Sequence, residues 1–219
     1  MTEAQKQGQL IVISGPSGVG KGTLIEELQK RRDDLGFSVS YTTRAPRENE
    51  VDGKHYFFVT QREFQCRVEQ GDFLEYAGYA DNAYGTSRSQ VEAMLDRGQT
   101  VILDIETKGA MQVRERRPDA TLIYILPPSY AELKARLYGR KTEDEASIRK
   151  RLAQAKKDLP YISKYDFVVV NCQVALAVNE LNEILCAVGR KSCYMQDVIQ
   201  QYNRSFEEAE ATGRTQQAQ

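Results

Sequence analysis

The run Gly15-Pro16-Ser17-Gly18-Val19-Gly20-Lys21-Gly22-Thr23 holds the most specific chemistry in the chain. Glycines at this spacing let a backbone curl until successive N–H groups face one anion. A helix that starts immediately afterwards adds the partial positive charge of its N-terminus. Lys21 reaches past the curl as a flexible point charge suited to β- and γ-phosphates. The run matches the phosphate-binding pattern G-x-x-x-x-G-K-[ST] except at its last position, where Gly22 replaces the usual magnesium-binding hydroxyl. Thr23 follows and can still contact a phosphate. Magnesium is therefore expected on nucleotide oxygens and water, with no protein ligand of its own. A glycine-rich strand–helix turn without ligand is the plain alternative.

Further candidates lie downstream. Arg44 and Arg47 stand three apart, separated by a stiffening Pro46, and paired guanidinium groups suit a phosphate dianion. Asp104 ends the apolar run Thr100-Val101-Ile102-Leu103, where a carboxylate would stand beside the cradle. It reads also as a helix cap or a solvated strand end. Glu106, two residues on, could face the same cleft. Glu75 reads as a binding carboxylate or as the solvent face of an alternating strand, and Tyr56 and Tyr84 as contacts or as core.

The elements that must position these groups show in the periodicity. Leu10–Ser14, Thr100–Asp104, Leu122–Leu126 and Phe167–Val170 read as short buried strands. Helices follow over Gly22–Arg32, Thr107–Arg116 and Val174–Val188. Continuous apolar strands alternating with helices indicate an α/β fold, a parallel sheet covered on both faces. Residues 38–86 break the pattern. Nine aromatics lie between Tyr41 and Tyr84, and alternation in Tyr56–Val59 and Phe73–Tyr76 predicts short antiparallel strands. We read 38–86 as an insertion with its own small mixed or antiparallel sheet, inside a core formed by 1–37 and 87–190. A charged stretch at about 138–158 reads as a solvated helical excursion or a mobile lid. The extension 191–219 has a weak helical stripe at Cys193-Tyr194, Val198-Ile199 and Tyr202, with disorder expected beyond Phe206.

Composition excludes several classes. Hydrophobic residues make up 41% and charged residues 28% of the 219, as in an ordinary globular protein. With 30 basic and 31 acidic side chains the net charge is −1, which argues against nucleic acid or an anionic membrane as main partner. No apolar run approaches the roughly 20 residues that cross a bilayer, and none near Met1 resembles a secretory signal. Four cysteines without close pairing and a single histidine, His55, form no metal or redox pattern. They read as buried or incidental free thiols in a reducing cytoplasm, and His55 as an exposed loop residue.

Taken in order, Ser40-x-Thr42-Thr43-Arg44-x-Pro46-Arg47, Glu50-x-x-Gly53-x-x-Tyr56-x-Phe58-Val59, Phe73-Leu74-Glu75 and Tyr84-Gly85-Thr86 closely resemble guanylate kinases, over Leu10 to about Val188. The resemblance implies a P-loop NTPase-type core with a GMP-binding insertion and a helical lid, and transfer of a phosphoryl group from ATP to GMP. It implies that ATP sits on Gly15–Thr23 with Asn171 near the adenine, and that Arg44, Arg47, Tyr56 and Tyr84 bind the GMP phosphate. Ser40, Glu75 and Thr86 would read the guanine. Its lid arginines correspond to Arg136, Arg140 and Arg151. Asp104 would act with magnesium through water at most. Glu106 stands where the family more often has Asp, which leaves its contact with GMP open. The base assignment also makes chemical sense. Guanine offers N1–H and N2–H donors to one ionised carboxylate, whereas adenine presents an acceptor at N1 and would leave that carboxylate unpaired. An inactive binding module and a ribose bisphosphate kinase of the same fold are the rivals. A regulatory GTPase fits poorly, for want of an Asn-Lys-x-Asp segment.

Overall fold

The structure is a computed structural model that describes residues 8–79, 82–139 and 144–217. Five parallel strands form its main sheet: β1 (Gln9–Ser14), β2 (Leu35–Phe37), β7 (Thr100–Asp104), β8 (Thr121–Leu126) and β9 (Phe167–Val170), in the order β2-β7-β1-β8-β9. The three central strands are mostly apolar because both faces are covered, whereas the edge strand β9 leaves Val168 and Val170 exposed. Ile11, Ile13, Ile102, Ile123 and Ile125 point to one face. There they meet Leu24 and Leu28 of α1 (Lys21–Gln29) and Val178, Leu181 and Leu185 of α7 (Val174–Val188). Their neighbours Leu10, Val12, Val101, Leu103, Leu122 and Tyr124 point to the other. They pack on Val91 and Leu95 of α3 (Arg88–Asp96) and on Ala110 and Val113 of α4 (Thr107–Arg116). Alternation along a strand with period two thus feeds two separate cores.

Residues between β2 and α3 make a second sheet, β4-β3-β6-β5, from β3 (Tyr41–Thr42), β4 (Phe57–Phe58), β5 (Phe73–Tyr79) and β6 (Asn82–Ser87). Its pairings are antiparallel except β3 with β4, which run parallel, so the sheet is mixed. Tyr41, Phe64 and Phe73 form its small core, with Phe64 supplied by α2 (Gln61–Glu69). Thr60 and Glu63 start that helix by capping each other's backbone. Beyond β8 come α5 (Tyr130–Gly139) and α6 (Glu145–Asp158), which share Leu133, Leu137 and Ile148 as a fourth apolar cluster.

Three expectations need correction. The first helix ends at Gln29 rather than Arg32, because the chain turns there into the short strand β2. Disorder beyond Phe206 is replaced by one helix, α8 (Gln196–Gln217). Its sequence is rich in Gln, Glu and Ala and holds no proline, so helix propensity carries the chain on. Strand β9 leaves Val168 and Val170 exposed rather than buried, because it closes the edge of the main sheet. The four cysteines are free thiols, all of them exposed.

Candidate active site

The phosphate cradle lies where the sequence puts it, between the end of β1 and the start of α1. Gly20 occupies the helix N-cap with φ 99°, a left-handed backbone that side chains disfavour. A Cβ on it would lie 2.7 Å from Asn171 Nδ2. Lys21 Nζ donates to the Gly15 carbonyl at 2.9 Å and lies 3.7 Å from Asp104 Oδ1. The pairing of Ile13 with Asp104 across β1 and β7 produces that approach. Asp104 is therefore no helix cap. Its carboxylate keeps 43% of its surface open to solvent, while burial of the rest raises its pKa and Lys21 opposes the rise. Glu106 shows the same balance, raised by burial and opposed by Lys21. Thr23 is exposed on the first turn of α1.

Arg136 and Arg151 converge on the same loop from the far side. Arg136 of α5 donates to the carbonyls of Val19 at 3.2 Å and Asn171 at 3.0 Å, and pairs with Glu132 at 2.9 Å. Arg151 of α6 donates to the Ser17 hydroxyl. Asn171 is buried and its amide donates to the Val19 carbonyl at 2.8 Å. It follows β9 directly, so the cradle, Asp104 and Asn171 share the carboxyl edge of the main sheet. That edge is where open α/β sheets bind ligands. Arg140 lies outside the described residues.

A cavity of about 280 Å³ opens between that edge and the second sheet. Lys21, Asp104 and Glu106 line one side, and Ser40, Tyr56, Glu75 and Tyr84 the other. Glu75 is 4% exposed, so it is no solvent-face residue. Thr86 Oγ1 donates to its Oε1 at 2.6 Å. Burial pushes the Glu75 carboxyl up to about 7, against the pull of Thr86 and of the Arg116 guanidinium. A buried, singly partnered carboxylate beside a cavity is poised to accept further donors.

Arg44 sits behind Tyr56, its guanidinium 5.5 Å from that ring and doubly bonded to Glu50 at 2.8 and 2.9 Å. Tyr56 and Tyr84 meet edge to face at 5.9 Å. Glu50 also accepts from the Arg47 backbone N–H at 2.8 Å, and the Arg47 side chain is exposed. His55 is exposed as expected, its Nδ1 accepting from the Val51 N–H.

Sequence reasoning missed two sets of residues. Glu50 was visible in the motif, but its role as the orienter of Arg44 was not; its placement three residues after Arg47 was the available signal. Gly109, Gln112 and Arg116 were missed altogether, although their spacing puts them on one helix face.

The fold and the edge together define a P-loop nucleotide-binding protein with a second, smaller sheet facing the phosphate site. Comparison with known proteins narrows this. The guanylate kinase family model matches residues 7–188, and the chain belongs to that family. It is 48% identical over 198 residues to the guanylate kinase of Desulfitobacterium hafniense, covering 89% of this chain and 99% of that one. It is 44% identical to the Halalkalibacterium halodurans guanylate kinase, covering 93% and 98%. The crystal structure of guanylate kinase from Anaplasma phagocytophilum superposes with a TM-score of 0.71 at 31% identity, covering 87% and 90% of the two chains.

Proposed function

We infer that the chain catalyses reversible transfer of the γ-phosphoryl group of ATP to GMP, giving ADP and GDP. One observation carries the reading: the buried Glu75–Thr86 pair faces Lys21 and Asp104 across a single cavity. Such a cavity has a base-reading wall and a phosphate wall. An ionised Glu75 accepts both N–H donors of guanine, with Ser40 and Thr86 hydroxyls beside it.

The acceptor is already a phosphate anion, so no strong base is required; alignment, charge neutralisation and exclusion of water do the work. Lys21 leaves the Gly15 carbonyl for the ATP phosphates held by the backbone of residues 15–23. Glu50 holds Arg44 in one orientation, and Arg44, Arg47, Tyr56 and Tyr84 take the GMP phosphate. Arg136, Arg151 and, by family correspondence, Arg140 neutralise the transferring group, and Asn171 supports the ATP side. Closure of the second sheet and of the segment 138–158 over the core would exclude water. Glu106 lines the cavity beside Lys21 and Asp104 and is proposed as a GMP contact.

Magnesium fits this site. A Cβ at Gly22 would meet nothing within 4 Å, and Asp104 is half open beside Lys21, so there is room for a hydrated ion whose water Asp104 can hold. When bound, magnesium supplies charge neutralisation at the phosphate oxygens. No helix among the described residues is long and apolar enough to cross a membrane. Four free thiols fit a reducing cytoplasm, where we place the reaction.

The test is ADP production from magnesium-ATP with GMP, AMP, CMP, UMP or no acceptor in parallel. Strong turnover with GMP alone is expected. ATP binding without turnover on any nucleotide acceptor would overturn the reading and point to a different phosphorylated acceptor.

A further inference from the structure

The second sheet does not hold Glu75 alone. The register of β5 against β6 shifts between Phe73 and Glu75, a local irregularity of the kind that re-aims a side chain. The core helix α4 supports it. Gly109, Gln112 and Arg116, at positions i, i+3 and i+7, form one face of that helix against β5.

Arg116 Nη1 donates to the Phe73 carbonyl at 3.0 Å and the Leu74 carbonyl at 2.7 Å, the two residues before Glu75. Gln112 grips the residue after it. Its Nε2 donates to the Tyr76 carbonyl at 2.8 Å and its Oε1 accepts the Tyr76 N–H at 3.2 Å. Between them Gly109 leaves a gap, because a Cβ there would lie 2.4 Å from Glu75 Oε2. The chain just before α4 carries Asp104 and Glu106, which line the other side of the cavity. One rigid piece of the core thus reaches both walls.

We propose that Gln112 and Arg116 are positioning residues that clamp β5 on either side of Glu75 and so set recognition of the acceptor base. This rests on the reading of Glu75 as the guanine contact. The titratable groups facing Glu75 are Arg116 from α4 and, around the cavity, Lys21, Asp104, Glu106, Tyr56 and Tyr84.

The variants Arg116→Gln, Arg116→Lys, Gln112→Ala and Gly109→Ala, with Glu75→Gln as reference, separate the parts of the proposal. Arg116→Gln should raise KM for GMP about tenfold, the loss of charged hydrogen bonds to a buried strand. kcat and KM for ATP should stay near wild type, and the acidic limb of the GMP profile should move to higher pH. Arg116→Lys should return that limb toward wild type while KM stays raised, since one ammonium cannot reproduce the planar fork. Gln112→Ala should raise KM without moving the limb. Gly109→Ala should raise KM for GMP, since its Cβ would lie 2.4 Å from Glu75 Oε2 and must displace that carboxylate.

Unchanged KM for GMP in the Arg116 and Gln112 variants, with Glu75→Gln impaired, overturns the clamp and leaves the guanine reading standing. Loss of kcat, of ATP affinity and of Tm together in those variants also overturns it, since that marks a purely structural role. Unchanged KM for GMP in Glu75→Gln overturns the guanine reading itself.

Discussion

The phosphate cradle is a single run of nine residues whose own backbone makes the site. The base-reading wall collects Ser40, Glu75 and Thr86 from separate segments and depends on a helix of the other sheet for its geometry. The first is local, needing little beyond correct glycine conformations and the helix start. The second is assembled, and its specificity rests on contacts far apart in sequence. A local site can be read, and broken, one residue at a time. An assembled site also fails at a distance.

Sharp tests of this contrast begin at the cradle. Lys21→Ala should lower kcat by about 10³-fold or more, the scale on which cations stabilise phosphoryl transfer. Steady-state rates at saturating ATP and GMP check this. On the assembled side, Glu75→Gln should reduce kcat/KM for GMP by about 10²- to 10³-fold, with most of the loss in KM. Gln offers one acceptor and a mismatched donor to guanine. Competition between GMP and AMP should show discrimination shrinking by a similar factor.

A third test uses pH. Since Glu75 must be ionised to accept both guanine donors, and its carboxyl titrates at about 7, KM for GMP should rise as pH falls below that value. By pH 6 the increase should be about tenfold over the alkaline plateau. Glu75→Gln should flatten this dependence, leaving only the titration of the GMP phosphate. Binding of ATP at the cradle should not share the Glu75 limb.

Gly20→Ala tests the local side more gently. A residue with a Cβ at φ 99° costs about 1–2 kcal/mol, and its Cβ would press on the Asn171 amide. Weaker ATP binding with GMP binding nearly unchanged is the expected result, measured by titrating each nucleotide separately. The smallest effect is on stability. A carboxyl raised from 4.5 to about 7 on folding costs stability as pH climbs through that interval, because the folded state holds its proton longer. At pH 8 the unliganded Glu75→Gln protein should therefore melt above wild type, checked by thermal denaturation at pH 5 and pH 8.

The same contrast explains what was legible in the sequence. Gly15–Thr23, the buried strand over 100–104, the existence (though not the burial) of the strand over 167–170 and the helix 174–188 were readable, because local spacing and apolar runs dictate them. Strand β2 was not, since three residues paired at a sheet edge carry no period. Helices α2 and α3 were missed inside polar, charged segments whose apolar contacts are few. At the site, Glu75 and Thr86 were recognisable only as parts of an ordered set of motifs. Neither the burial of Glu75 nor its support by Arg116 shows in any local pattern, because both depend on how β5 meets α4. The salt bridge from Arg44 to Glu50 lay within six residues, and only the placement of Glu50 just after Arg47, not the residue types, set it apart from two solvated charges.

The most direct test of the account is the identity of the products formed from equimolar ATP and GMP with magnesium, followed by phosphorus NMR or by separation of the nucleotides. The account predicts that ADP and GDP appear together in a one-to-one ratio, with no build-up of inorganic phosphate. ADP accompanied by inorganic phosphate, with GMP left unchanged, would mean that water is the acceptor and would contradict it.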